Sequence, residues 1–196
     1  MIKSIRIVLL KVLIFSLAFS KNDSYSNFKK YMDQNMGSIF NISYHQSQYN
    51  ERLVSEGVIC FKSYKKYIFD NNMTRIIYNN KYIKTINKQN KQIIYDEIIE
   101  GEVSLFDLLF SNKRLDVSLG ASLNPDISII NFKLKSLDIR GVLKTDNLSG
   151  EPKQLSLFNV DSSLLSVVEI NRVESKVDFN LSAIDTTSYE LIDLRE

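Results

Sequence analysis

Apolar residues hold helical spacing early in the chain and then switch to a period of two. In "NDSYSNFKKYMDQNMG", Tyr25, Phe28, Tyr31, Met32 and Met36 recur at intervals of three and four, with Asn35 on the same stripe. The pattern predicts an amphipathic helix of about three turns, with Ser24 as N-cap and Gly37 as its stop. From Ile39 the alternation is that of strands. "IFNISYHQ" places Phe40, Ile42, Tyr44 and Gln46 on one face, and "EGVICFK", "YKKYIFD" and "KQIIYDEII" follow. Short alternating runs separated by polar, Asn-rich turns predict a continuous antiparallel meander.

The hairpin "RIIYNNKYIKTI" sharpens this expectation. With Asn79 and Asn80 as a two-residue turn, Tyr78 pairs with Lys81, Ile77 with Tyr82 and Ile76 with Ile83. Ile76, Tyr78 and Ile83 then share one face and Ile77 and Tyr82 the other, so both faces need cover. A strongly curved sheet meets the requirement if its concave side faces a cavity or a helix. "EVSLFDLLFSN" offers such a helix. Ser104, Asp107 and Ser111 make one narrow polar stripe, and Val103, Leu105, Phe106, Leu108, Leu109 and Phe110 occupy the rest of the circumference. Strands resume in "ISIINFKLKS", "LDIRGVLKT", "KQLSLFNV", "LSVVEIN" and "KVDFNLSA", with turn residues at Asn124, Pro125 and Asp126 and again from Ser149 to Pro152. The predicted class is α+β: a large curved antiparallel sheet, an open half β-barrel, with an N-terminal helix and an inserted helix covering the concave side.

The first twenty residues change the picture of where the chain works. Lys3, Arg6 and Lys11 precede or interrupt a short apolar stretch that ends in Ala18, Phe19 and Ser20, the layout of a secretory signal peptide. Residues 1–20 are expected to be removed, leaving a soluble, exported, monomeric domain over 21–196. The formal charge then falls from +2 to 2 − 3 = −1, which gives no electrostatic basis for binding nucleic acid. One cysteine, Cys60, excludes an internal disulfide and sits at a buried strand position. No cysteine follows the apolar run, so the mature N-terminus is not expected to carry acyl chains.

Catalytic chemistry is missing from the pattern. The single histidine, His45, stands opposite Tyr44 on its strand, is expected to face solvent, and has no second His or suitably placed Cys with which to hold a metal. Asp96, Glu97 and Glu100 are acids flanking a strand. No Gly-rich phosphate loop occurs. The reading is therefore non-enzymatic, without metal or cofactor.

Taken along the chain, these segments resemble the periplasmic outer-membrane lipoprotein carriers (LolA) and their lipidated receptor relatives (LolB). After the helix, Tyr44, His45 and Gln46 look like the family's aromatic-x-Gln. "EGVICFKSYKKYIFDNN" is similar to its glycine-led strand pair ending in an aromatic, here Phe69. "YNNKYIKTINKQNKQI" looks like its tight turn, aromatic strand and polar loop leading to a Gln, here Gln92. "SLFDLLFSN" resembles its leucine-rich helix, and "VDFNLSAIDTTSYELIDL" its terminal strand. The family usually has Arg-Pro after the second strand; "KSYKK", with Ser63 and Tyr64 in that register, departs from it, and a lysine there lacks the rigid fork of arginine. The resemblance implies an apolar cavity for lipoprotein acyl chains, lined here by Phe40, Ile42, Tyr44, Phe61, Tyr67, Phe69, Ile76, Tyr78, Ile83, Leu105, Phe106, Leu109 and Phe110. It also implies lipoprotein cargo, an inner-membrane lipoprotein-releasing transporter and an outer-membrane acceptor as partners. Two alternatives stay open: the same side chains form a dry core, or the fold serves as an envelope sensing or scaffold module that binds a protein or peptide.

Overall fold

The computed structural model describes residues 23–48, 51–63, 66–79, 81–98, 115–134, 138–159, 161, 163–174 and 183–195. Helix α1 (Asp23–Gln34) forms where the spacing predicts it, and it buries Phe28 and Met32, one turn apart on a single stripe. Gly37 ends the segment with φ 89°, a backbone region open to glycine at little cost. Ser24 is not the N-cap. It lies inside the helix, and its Oγ donates to Ser128 Oγ (3.0 Å), which donates to Asn147 Oδ1 (2.7 Å). A tertiary bond has taken the hydroxyl that a local cap would have used.

The twelve described strands are β1 (Ile39–Gln48), β2 (Glu51–Ser63), β3 (Lys66–Asn71), β4 (Thr74–Tyr78), β5 (Tyr82–Asn87), β6 (Gln92–Glu97), β7 (Leu115–Gly120), β8 (Ile127–Leu134), β9 (Ile139–Asp146), β10 (Pro152–Phe158), β11 (Leu164–Glu174) and β12 (Glu190–Asp193). They form one open sheet in the order β12-β6-β5-β4-β3-β2-β1-β11-β10-β9-β8-β7. This is two meanders rather than one. β1 to β6 run outward in one direction, β11 back to β7 in the other, and the antiparallel pair of β1 with β11 joins them. β7 has no counterpart in the predicted pattern, and β12 lies parallel to β6, so the sheet is not purely antiparallel. The segment expected as an inserted helix, with Leu105, Phe106, Leu109 and Phe110, lies outside the described residues, as do residues 1–20, Tyr64 and most of "KVDFNLSA".

One face of the sheet, here the inner face, carries α1. Phe28 and Met32 meet Phe40, Ile42, Ile59, Phe61, Ile130, Phe132, Leu143 and Leu155 in a single core. β2 and β9 are four places apart in the sheet, ~19 Å if it were flat. Phe61 and Leu143 nevertheless line one small cavity beneath the helix, so the sheet bends around α1. Register shifts at Asn41/Ile42 and Leu157/Phe158 are bulges of the kind that bend strands. Gly141 serves the same packing: a Cβ there would overlap the Phe132 ring, which lies across it from the neighbouring strand.

The hairpin register corrects the expectation. Tyr78 pairs with Ile83, Ile77 with Lys84 and Ile76 with Thr85, a slip of two residues. The Asn79 side chain makes the difference, because its Oδ1 accepts from the N–H groups of Lys81 (2.8 Å) and Tyr82 (3.0 Å) and builds a longer, Asx-type turn. A slip of two keeps every side chain on its predicted face.

The outer face is covered by charge rather than by a second apolar layer. Ile86 and Arg75 are buried there, and Arg75 places its fork on Asp70 of the adjacent strand, Nε and NH2 each at 3.0 Å, with Lys88 Nζ 2.8 Å from the same carboxylate. Farther along, the Arg195 guanidinium lies 4.6 Å from the Tyr95 ring centre and 5.5 Å from that of Tyr82, with Lys84 5.2 Å from Tyr95. Asp193, bonded bidentately to Arg195, is held at about 2 by those bonds.

Cys60, also on this face, is 0% exposed, its thiol 3.7 Å from Gly37 O. Burial pushes the thiol above its usual value, against the smaller opposing effect of Lys62, so little reactive thiolate forms. Ellman's reagent at pH 8 should therefore titrate no thiol in the folded protein and one in denaturant. Labelling within minutes under native conditions would contradict this burial.

Candidate functional site

The inner face is the candidate site, and cross-strand pairing shows how its side chains are assembled. One row runs Phe40, Ile59, Phe69, Ile76, Thr85, Ile94 and Ile192 across seven strands. The next runs Phe61, Tyr67, Tyr78 and Ile83. On the other side of β1, Tyr44 continues through Val168, Leu155, Leu143 and Ile130 to Leu119. The strand residues expected to line a cavity thus share one face. Ile59, Ile94 and Ile192 belong with them although the sequence pattern did not single them out; the parity of "VICF" and "QIIY" carries that signal once the pairing is known.

Their environments divide in two. Phe40, Ile42 and Phe61 are closed in beneath α1, around a cavity of about 40 Å³. That is room for a water, well under the ~300 Å³ of a small ligand site. In this arrangement they pack together in the core with Phe28 and Met32. Beyond the helix, on the arm formed by β3 to β6, Tyr67, Phe69, Ile76, Ile83 and Ile94 are only half-buried. Tyr78 is buried, stacked on Tyr67 at 4.9 Å, and Phe61 links this pair to Phe40. Tyr44 is half-buried on the opposite flank; burial raises its phenol pKa, and a hydrogen bond with Ser166 partly offsets the rise.

What this arrangement can do is shelter apolar matter. The described part of the arm carries no charged side chain on its inner rows until Asp96, opposite Ile83 at the exposed end. His45 faces outward as expected but is half-buried beside Glu169 (3.9 Å) rather than free in solvent. Asp96 and Glu97 are exposed and, being consecutive in a strand, point to opposite faces; Glu100 lies outside the described residues. Among the described residues no three His, Cys, Asp or Glu side chains gather as a metal site. A wider cleft of about 600 Å³ spans β7 to β10, where Val117, Phe132, Val142 and Phe158 line it together with Asp116, Lys133 and Arg140.

No family model and no curated protein matches the sequence. Among solved structures, an uncharacterised conserved protein from Thermus thermophilus is similar with a TM-score of 0.59 at 8% identity, over 87% of this chain and 99% of that one. A LolA superfamily protein from Nitrosomonas europaea matches with a TM-score of 0.42 at 7% identity, over 78% of this chain and 93% of its own. A putative outer membrane lipoprotein-sorting protein domain from Vibrio parahaemolyticus matches with 0.41 at 10% identity, over 84% and 96%. At 8% identity the likeness to the Thermus thermophilus protein is one of fold alone.

Proposed function

We propose that this protein is a periplasmic carrier that shields the acyl chains of lipoproteins and passes them from an inner-membrane transporter to an outer-membrane acceptor. The observation that carries the reading is the apolar inner strip running past α1 over Phe69, Ile76, Ile83 and Ile94 while these side chains stay half-exposed. On the same strands the outer face is sealed by Arg75, Asp70 and Lys88. A buried methylene is worth roughly 0.8 kcal/mol, so a long acyl chain represents about 10 kcal/mol that water resists and this strip would recover. Partial cover is what release requires, since a chain wrapped completely could not leave. No helix among the described residues is long and apolar enough to cross a membrane.

Purified protein should take up diphenylhexatriene saturably and keep a triacylated lipoprotein in solution. Ile83→Asn should weaken probe uptake about tenfold while leaving the sheet's circular-dichroism signal unchanged. If neither probe nor lipoprotein is held, the carrier reading falls; capture of an extended envelope peptide in their place would establish the sensing or scaffold module instead.

A further inference from the structure

The apolar strip on the arm is bordered along one rim by a row of a different chemistry. At the β3–β4 turn end, the inner-face positions of five neighbouring strands are Asn71, Thr74, Asn87, Gln92 and Glu190. The row is continuous. Thr74 N–H donates to Asn71 Oδ1 (2.6 Å), Thr74 is paired with Asn87, Asn87 with Gln92, and Gln92 Nε2 donates to Glu190 Oε2 (3.0 Å). Thr74, Asn87 and Gln92 are half-buried, and the row contains no cation. Among the described residues, the Thr74 hydroxyl and the Gln92 side-chain carbonyl have no partner. At the opposite end of the arm the Tyr67 and Tyr78 rings stack, Tyr78 is 6% exposed, and the polar side chain on the inner face is the exposed carboxylate of Asp96 rather than an amide or hydroxyl row.

The arm therefore has a direction: amides and a hydroxyl at one rim, hydrocarbon between, a stacked aromatic pair at the far end. We infer that it binds its ligand in one orientation, with a head group built of ester and amide linkages on the Thr74–Gln92 row and acyl chains over Phe69, Ile76 and Ile94. Asn71 Oδ1 and Asn87 Oδ1 already accept from turn N–H groups, so the contacts offered to such linkages are the Thr74 hydroxyl, which can donate to a carbonyl, and the Gln92 side-chain carbonyl, which can accept from an N–H. A phosphate would instead meet a row whose single charge, on Glu190, is of its own sign. The inference rests on the carrier reading and adds to it that the protein recognises the acylated peptide head and not the hydrocarbon alone.

The test compares a synthetic diacylated lipopeptide with diphenylhexatriene, which has no ester or amide, in the wild type and in Thr74→Val/Gln92→Leu. The double variant should lose about tenfold of the wild-type preference for the lipopeptide, the effect of two neutral hydrogen bonds. Thr74→Val alone, an isostere, should lose about threefold and serves if the double variant does not fold. A wild type that binds both ligands, with the same preference in every folded variant, overturns the head-group row and leaves the carrier reading standing. A wild type that binds neither ends both.

Discussion

Asp70→Asn should lower the unfolding free energy by about 3 to 5 kcal/mol, among the largest effects of any single substitution in this chain. The carboxylate stands directly opposite Arg75 on the neighbouring strand, and the Arg75, Asp70 and Lys88 side chains are 7%, 17% and 23% exposed. An asparagine would leave two cations close together with little water to solvate them. The loss reads directly as a lower urea midpoint with an unchanged slope. Asp70→Leu/Arg75→Leu should recover much of the loss, since apolar residues of similar volume often replace a buried pair without cost. A single variant within about 1 kcal/mol of wild type would show that the outer face is not closed by this pair.

The same triad sets an acid limit. Burial alone would raise the Asp70 carboxyl, but the Arg75 and Lys88 hydrogen bonds and charges outweigh it and hold the group below 3.8. A carboxyl depressed in the folded state stabilises the fold above its unfolded value, and that contribution is lost as pH falls through the folded value. The wild type should therefore lose stability progressively below pH 3.8, and Asp70→Asn should show a flatter profile there. Parallel acid profiles would remove Asp70 from the account.

Phe28→Ala should cost a comparable amount, about 3 to 5 kcal/mol. Phe28 is 1% exposed and, with Met32, anchors α1 to the sheet; truncation removes an aromatic ring from the centre of the core. This variant also separates two roles for the helix. Gly150, with φ 75°, brings its turn so close that a Cβ would overlap the Asn27 backbone, so α1 is held at its edge as well as through its core side chains. If the helix can lift, a weakened anchor should open the 40 Å³ cavity and raise the capacity for diphenylhexatriene, measured well below the thermal transition. Lower stability with no gain in capacity would mark α1 as permanent packing and confine any cargo to the β3–β6 arm.

How much of this is legible in the residues follows from the range of the forces involved. Period and parity are local. The stripe of Phe28 and Met32, the stop at Gly37 and the shared face of Phe40, Ile42 and Tyr44 follow from spacing alone, and parity keeps Ile76, Tyr78 and Ile83 together even though the turn slips the register by two. The slip itself comes from one side chain, Asn79, choosing backbone N–H partners. Ser24 and His45 depart from expectation for a related reason: each meets a group distant in sequence, Ser128 and Glu169, whose approach no local pattern encodes.

That Asp23–Gln34 is a helix, and which side of strands such as β1 and β4 is apolar, could be read from the residues because both depend on neighbours along the chain, whereas β7 could not. The assembled fold was needed to establish that β11 pairs with β1, that β12 lies parallel to β6, and that α1 closes one stretch of the inner face while leaving Phe69, Ile76 and Ile83 half-open. Those outcomes depend on which surfaces meet across the whole molecule, where burial and pairing are settled between residues far apart in the chain.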